Sequence, residues 1–178
     1  MWYNYYSKVE KGVFLMEKKY ILTDEIRKSN GKILHRIQAV RDFGKIQTGD
    51  FGGWIEKEGN LSHEGDCWID DDAQVYDDAY VFGNAQIYGN AHVFGNAWVY
   101  NRALVYDNAH IHGNAQIFGN AWVYDNAYID GNAQIYDNAQ IHSNANVYGD
   151  AIICEDMLVS YSKIDTDLRI DIAASLRG

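Results

Sequence analysis

The chain has 178 residues and lacks proline altogether, has two cysteines, and carries no threonine between Thr48 and Thr166. Two cysteines cannot make the disulfide framework of a small secreted domain. No run of about 18 apolar residues exists to cross a bilayer. Met1 to Leu15 also lack the continuous apolar core and small-residue cleavage site of a signal peptide, while Met16 offers a second start. These absences predict a cytoplasmic protein with no membrane partner. The missing proline excludes a proline-rich linker, and an aromatic content of 14% excludes a disordered chain. Positive charge is also scarce, with 15 Lys and Arg against 25 Asp and Glu and a formal charge of −10. A phosphate backbone would be repelled, which excludes direct nucleic-acid binding.

What is abundant is a repeat. Alanine stands at 73, 79, 85 and every sixth position to 151, with Val or Ile two residues after each, from Val75 to Ile153. The unit reads Ala-x-Val/Ile-aromatic-Gly/Asp-Asn, as in Ala85-Gln86-Ile87-Tyr88-Gly89-Asn90. Alternation over the first four positions makes a short strand with Ala and Val/Ile on one side. The Gly-Asn, Asp-Asn or Ser-Asn that follows tolerates φ > 0 and turns a corner. A helix is excluded, because a six-residue period does not match 3.6 residues per turn and each glycine would cost it about 1 kcal/mol. Three such sides close a triangle of about 18 residues, and successive triangles stack at about 4.8 Å with their backbones paired.

The pattern Val-Tyr-Gly-Asn-Ala-x resembles the hexapeptide repeat of left-handed β-helix proteins. The lead-in Gly52-Gly53-Trp54-Ile55 through Leu61-Ser62-His63-Glu64-Gly65-Asp66-Cys67-Trp68-Ile69 resembles the N-terminal cap of the YdcK-type subgroup of bacteria and their phages. That resemblance implies the left hand of the coil. The expected architecture is all-β: an N-terminal extension over 1–19, a β-hairpin and loop cap over 20–65, a parallel β-helix of about five coils over 66–160, and an irregular tail over 161–178. Asn30-Gly31 between alternating apolar segments predicts a hairpin with a type I′ turn, placed to plug the first coil. Cys67 falls in an inward alanine slot, whereas Cys154 falls outward about five coils away, too far for a disulfide.

Side chains 18 apart stack into ladders on three faces. The first face carries Gln74, His92, His110, Tyr128 and Asn146 beside Tyr76, Phe94, His112, Asp130 and Tyr148. On the second face stand Tyr80, Phe82, Trp98, Tyr100 and Phe118, and on the third Tyr106, Trp122 and Tyr124. These last eight residues are the candidate contacts. Stacked rings stabilise a ladder by about 0.2–1 kcal/mol per pair, and Tyr and Trp are also enriched at interfaces. The faces therefore predict self-association into a homo-oligomer and docking of a protein partner.

Acidic residues supply a second signal. From Asp66 to Asp156 there are 13 acids against the single base Arg102, while residues 1–65 carry 11 bases and 9 acids. Such charge keeps coils soluble and unaggregated. It also makes a rigid acidic rod able to occupy a basic channel of a nucleic-acid-binding enzyme, with Asp107, Asp125 and Asp137 as the mimicking carboxylates. The YdcK-type resemblance implies a phage or mobile-element accessory, and accessories of this size include inhibitors of host defence nucleases (anti-CRISPR-like). Two enzymatic alternatives come from resemblance as well. Trimeric hexapeptide acyltransferases use a histidine base in a cleft covered by a projecting loop, yet Ala73 to Asp156 has no inserted residue. γ-Class carbonic anhydrases bind zinc through histidines, for which His92, His110, His112 and Asp130 are weak candidates because ladder neighbours stand about 4.8 Å apart and point the same way. Ice binding needs regular threonine rows, which are missing. The leading expectation is a non-enzymatic interaction protein without a cofactor.

Overall fold

A computed structural model describes residues 17–160, 162–164 and 169–170. Most of the expected N-terminal extension and of the C-terminal tail lies outside these residues. The hairpin forms as the turn chemistry predicts: β1 (Tyr20–Ser29) and β2 (Lys32–Ala39) pair antiparallel. Asn30 and Gly31 both take positive φ, 47° and 78°, which a type I′ turn demands. The hairpin extends one sheet past the open end of the first coil along the stacking direction, because β2 pairs antiparallel with β3 (Phe51–Ile55), and β3 in turn pairs parallel with β5 (Gln74–Val75). Tyr20, Ile37 and Ala39 are buried in the same apolar cluster as the coil interior.

The coil proper is a parallel β-solenoid of about six turns rather than five. It starts earlier than the hexads, at β3 inside the expected cap, and it runs past Asp156 through strands at Leu158–Ser160, Lys163–Ile164 and Arg169–Ile170. Strands of two or three residues follow one another from β4 (Trp68–Ile69) and β5 to β6 (Tyr80–Val81), one on each side of the triangle, and recur every 18 residues as in Gln86↔Leu104↔Trp122. The first coil is two residues longer, since Trp54 pairs with Gln74. The last is one shorter, since Asn146 pairs with Lys163. Each hexad from Ala73 to Asn138 bonds the next coil three times, as Gln86, Tyr88 and Asn90 donate N–H to the carbonyls of Ala103, Val105 and Asp107 at 3.0, 3.0 and 2.7 Å. Every repeat Ala and Val/Ile from Ala73 to Ile153 is fully buried, so the interior is one apolar column with no room for larger side chains.

The lead-in glycines have a packing reason. A Cβ on Gly52 would stand 2.5 Å from the Ile69 carbonyl oxygen, and one on Gly53 would stand 2.7 Å from that of Ala73. No helix among the described residues is long and apolar enough to cross a membrane.

Candidate interaction faces

Because position four of each hexad follows the strand directly, its aromatic side chains stack along the coil axis. On the second face Phe82, Tyr100 and Phe118 are parallel at 4.7 and 4.9 Å, with Tyr80 beside Phe82 at 5.0 Å and Trp98 edge-on to it at 6.0 Å. On the third, Tyr88, Tyr106 and Tyr124 stack at 4.9 Å, and Trp122 follows Leu104 in the neighbouring row. The coil thus brings each candidate set together. Most rings spend their faces on one another and show only edges to solvent. Trp98 and Trp122 are different: they remain 47% and 41% exposed.

The first face is not free along its length. Tyr76 is buried under the hairpin, where Asn30 Nδ2 donates to its hydroxyl at 2.7 Å and Leu34 and Trp54 pack beside it. Burial raises the Tyr76 pKa. At the other end of the second face, Cys154 occupies an outward slot yet is only 3% exposed, so its expected exposure is corrected. Neither cysteine is in a disulfide.

The corner acids have local work. Asp107, Asp125 and Asp137 all take φ of 56–57°, and their carboxylates accept backbone N–H groups one coil on. Asp107 Oδ2 receives Asp125 N at 3.4 Å, Asp125 Oδ2 receives Ser143 N at 2.9 Å, and Asp137 Oδ2 receives Glu155 N at 3.4 Å. They do not form one row. Asp107 and Asp125 share the corner between the third and first faces, and Asp137 sits on the corner between the second and third. Beside them run asparagine ladders that the sequence reading missed, such as Asn96, Asn114, Asn132 and Asp150 linked at 3.0, 2.9 and 2.7 Å. Their signal was present, as asparagine recurs at position six of most hexads.

Acids of the first coil serve the cap. Arg27 bonds Asp72, Lys32 bonds Asp77 and Lys57 bonds Asp78, each at 2.6 Å. These partners hold the carboxyls of Asp72 and Asp78 below the usual range. Three of the acids from Asp66 to Asp156 are therefore spent on a seam between coil and cap.

Histidines form ladders rather than a metal cage. His92 and His110 stack at 5.0 Å with an interplanar angle of 22°, and burial lowers the pKa of both. His112 Nδ1 lies 3.0 Å from Asp130 Oδ1, which also accepts the N–H of Gly131. No cluster of three His, Cys, Asp or Glu side chains able to hold a metal occurs among the described residues. The dyad His112–Asp130 is real, but the other ring nitrogen, Nε2, is buried and bonded to nothing, in a ladder where Phe94 stacks at 4.8 Å and Tyr128 packs edge-on at 4.7 Å. A general base must reach its proton within about 2.6–3.2 Å, and that nitrogen is screened. His142 has an acidic neighbour that spacing did not suggest, Asp125 at 3.8 Å, and its Nε2 is buried too.

Comparison with known proteins agrees with this architecture. Residues 85–101 match the family described as the YdcK beta solenoid repeat. The chain is also 36% identical over 59 residues to a protein of Escherichia coli (strain K12) named uncharacterized acetyltransferase YdcK. The match covers 29% of this chain and 18% of that relative's length. Over these stretches the chain is similar to YdcK-type proteins, and the similarity agrees with the β-solenoid.

Proposed function

We propose that this chain is a non-catalytic interaction protein that docks a basic protein partner on its third face. One observation carries the reading: Trp122 stands exposed on an uncharged aromatic face whose corner holds Asp107 and Asp125, carboxylates anchored by backbone N–H groups. A pre-formed apolar patch with fixed negative charge at its rim suits a partner bearing Lys and Arg around an apolar spot. The rod form extends this to a partner with a basic nucleic-acid channel, the kind of host enzyme a phage or mobile-element accessory would inhibit. A copy of the chain on the second face, at Trp98 and Tyr100, is the corresponding self-association.

The test is capture of a partner from cell lysate by the wild-type chain, followed by two challenges. Asp107→Lys with Asp125→Lys should abolish capture, and added duplex nucleic acid should release the partner. Capture that survives both rejects the acidic docking. The Trp98→Ala, Tyr100→Ala pair should lower the mass measured by light scattering and leave circular dichroism intact; an unchanged mass removes the second-face contact.

Acetyl transfer is the second reading, favoured by the name of the Escherichia coli relative and by the His112–Asp130 pair. It calls for acetyl-coenzyme A binding that His112→Ala abolishes. Calorimetry with no heat at millimolar ligand eliminates it.

A further inference from the structure

Where the cap meets the first coil, an amine and a thiol are buried against each other. Lys19 and Cys67 are both 0% exposed. Lys19 Nζ lies 2.7 Å from the Cys67 carbonyl oxygen, 3.3 Å from that of Gly65 and 3.1 Å from Cys67 Sγ. Sγ in turn faces the carbonyl oxygens of Ser62 and Glu64 at 3.6 Å and of Val81 at 3.8 Å. An ammonium has three N–H donors and no acceptor, whereas a neutral amine has two donors and one lone pair. The two carbonyls take two donors in either state. The third direction, toward sulfur, carries N–H in the ammonium and the lone pair in the amine. Burial lowers the Lys19 pKa and raises that of Cys67, which favours the neutral amine beside the neutral thiol.

We propose that Lys19 and Cys67 are the two ends of an oxidation-formed covalent tie that fastens the cap to the first coil, with hydrogen peroxide as the oxidant. The Cys67 proton first passes to the Lys19 amine, 3.1 Å from Sγ. The thiolate then attacks peroxide, forming an S–O bond and breaking the O–O bond, and the released hydroxide takes the proton back from Lys19 as water. The Lys19 lone pair then attacks that sulfur. An N–S bond forms, the S–O bond breaks, and the departing hydroxide leaves with an amine proton as a second water. One thiol, one amine and one peroxide thus give one sulfenamide and two waters, and the chain loses two hydrogens. Shielding under the 57–66 loop makes the reaction slow, and a dithiol reductant reverses it. The inference is independent of any partner or catalytic reading of the faces.

The experiment uses the full chain with Cys154→Ser, which leaves Cys67 as its one thiol. After millimolar peroxide, the intact mass should fall by about 2 Da, trypsin should no longer cleave after Lys19, and the peptides containing residues 19 and 67 should appear joined. Dithiothreitol should undo all three changes. Cys67→Ala and Lys19→Gln should abolish the tie. Should Lys19→Gln fail to fold, the peptide map of the unsubstituted pair still decides the matter. A product about 14 Da heavier, joining the same peptides through an added oxygen, upholds the tie. Cys67 left as a thiol, or oxidised to its sulfinic acid with trypsin still cleaving after Lys19, overturns it.

Discussion

The cap and the solenoid hold together by opposite means. In the solenoid the main contacts recur: the same backbone bonds and the same Ala and Val/Ile column return each 18 residues, with ring stacks along much of the rod. In the cap each contact occurs once. Gly52 lies against the Ile69 carbonyl, Asn60 is buried with Nδ2 donating to the carbonyls of Asp77 and Ala79, and the Tyr20 hydroxyl, 2.8 Å from the carbonyls of both Glu58 and Leu61, shares its one proton between them. A repeat array approximates a sum of equal units and neighbour interfaces, so one weakened unit is tolerated. A cap of single-copy contacts has no such redundancy.

That contrast can be broken most strongly at Gly52. Gly52→Ala places a methyl group against backbone that cannot move aside and should destabilise the chain by about 3 kcal/mol, read by urea denaturation. Asn60→Ala leaves two carbonyls and the Lys57 N–H without their partner, for an expected loss of about 2 kcal/mol. Hydrogen exchange should place this loss in residues 17–66 while the later coils stay protected. Within the repeat, Asn114→Ala removes two exposed ladder bonds and should cost about 0.5–1 kcal/mol in the same urea assay. A larger loss there would mean that the coils are as little redundant as the cap.

Acid gives the smallest effect and separates the regions by pH. Burial lowers the pKa of His92 and His110 in the coil, so the unfolded chain binds more protons once the pH drops below about 6.5. Stability from the solenoid is thus present above that pH and declines below it, and His92→Gln with His110→Gln should flatten the decline. In the cap, Lys18 lowers the Glu58 pKa and Arg27 lowers that of Asp72. Their contribution is present above about pH 4 and is lost as the pH falls further. Thermal midpoints measured across both windows should show two steps, and coincident steps would contradict the assignment.

The repeat was legible because its information is periodic. Ala85-Gln86-Ile87-Tyr88-Gly89-Asn90 states the inside, the outside and the corner, and fourteen copies leave no ambiguity. Asn30-Gly31 was legible because a tight turn is a local problem with a local solution. Single long-range contacts write no such pattern. Nothing near Lys19 announces that Cys67 waits 48 positions on, nor that Gly52 must slide beneath Ile69. The candidate faces lie between these cases. Their membership followed from counting in eighteens, but the hairpin over Tyr76, the burial of Cys154 and the screened nitrogen of His112 depend on neighbours in space.

The pairing interval of 18 residues, three hexads to a coil, makes length and azimuth separately inheritable. Deleting a whole coil shortens the rod by about 4.8 Å and leaves every downstream ladder on its own side. Deleting one hexad shortens it by a third as much and rotates everything beyond the cut by one side of the triangle. Trp122 would then pass to the side that carries Trp98. A gene encoding such a rod can change its reach or its display in discrete steps, and the unit of change decides which.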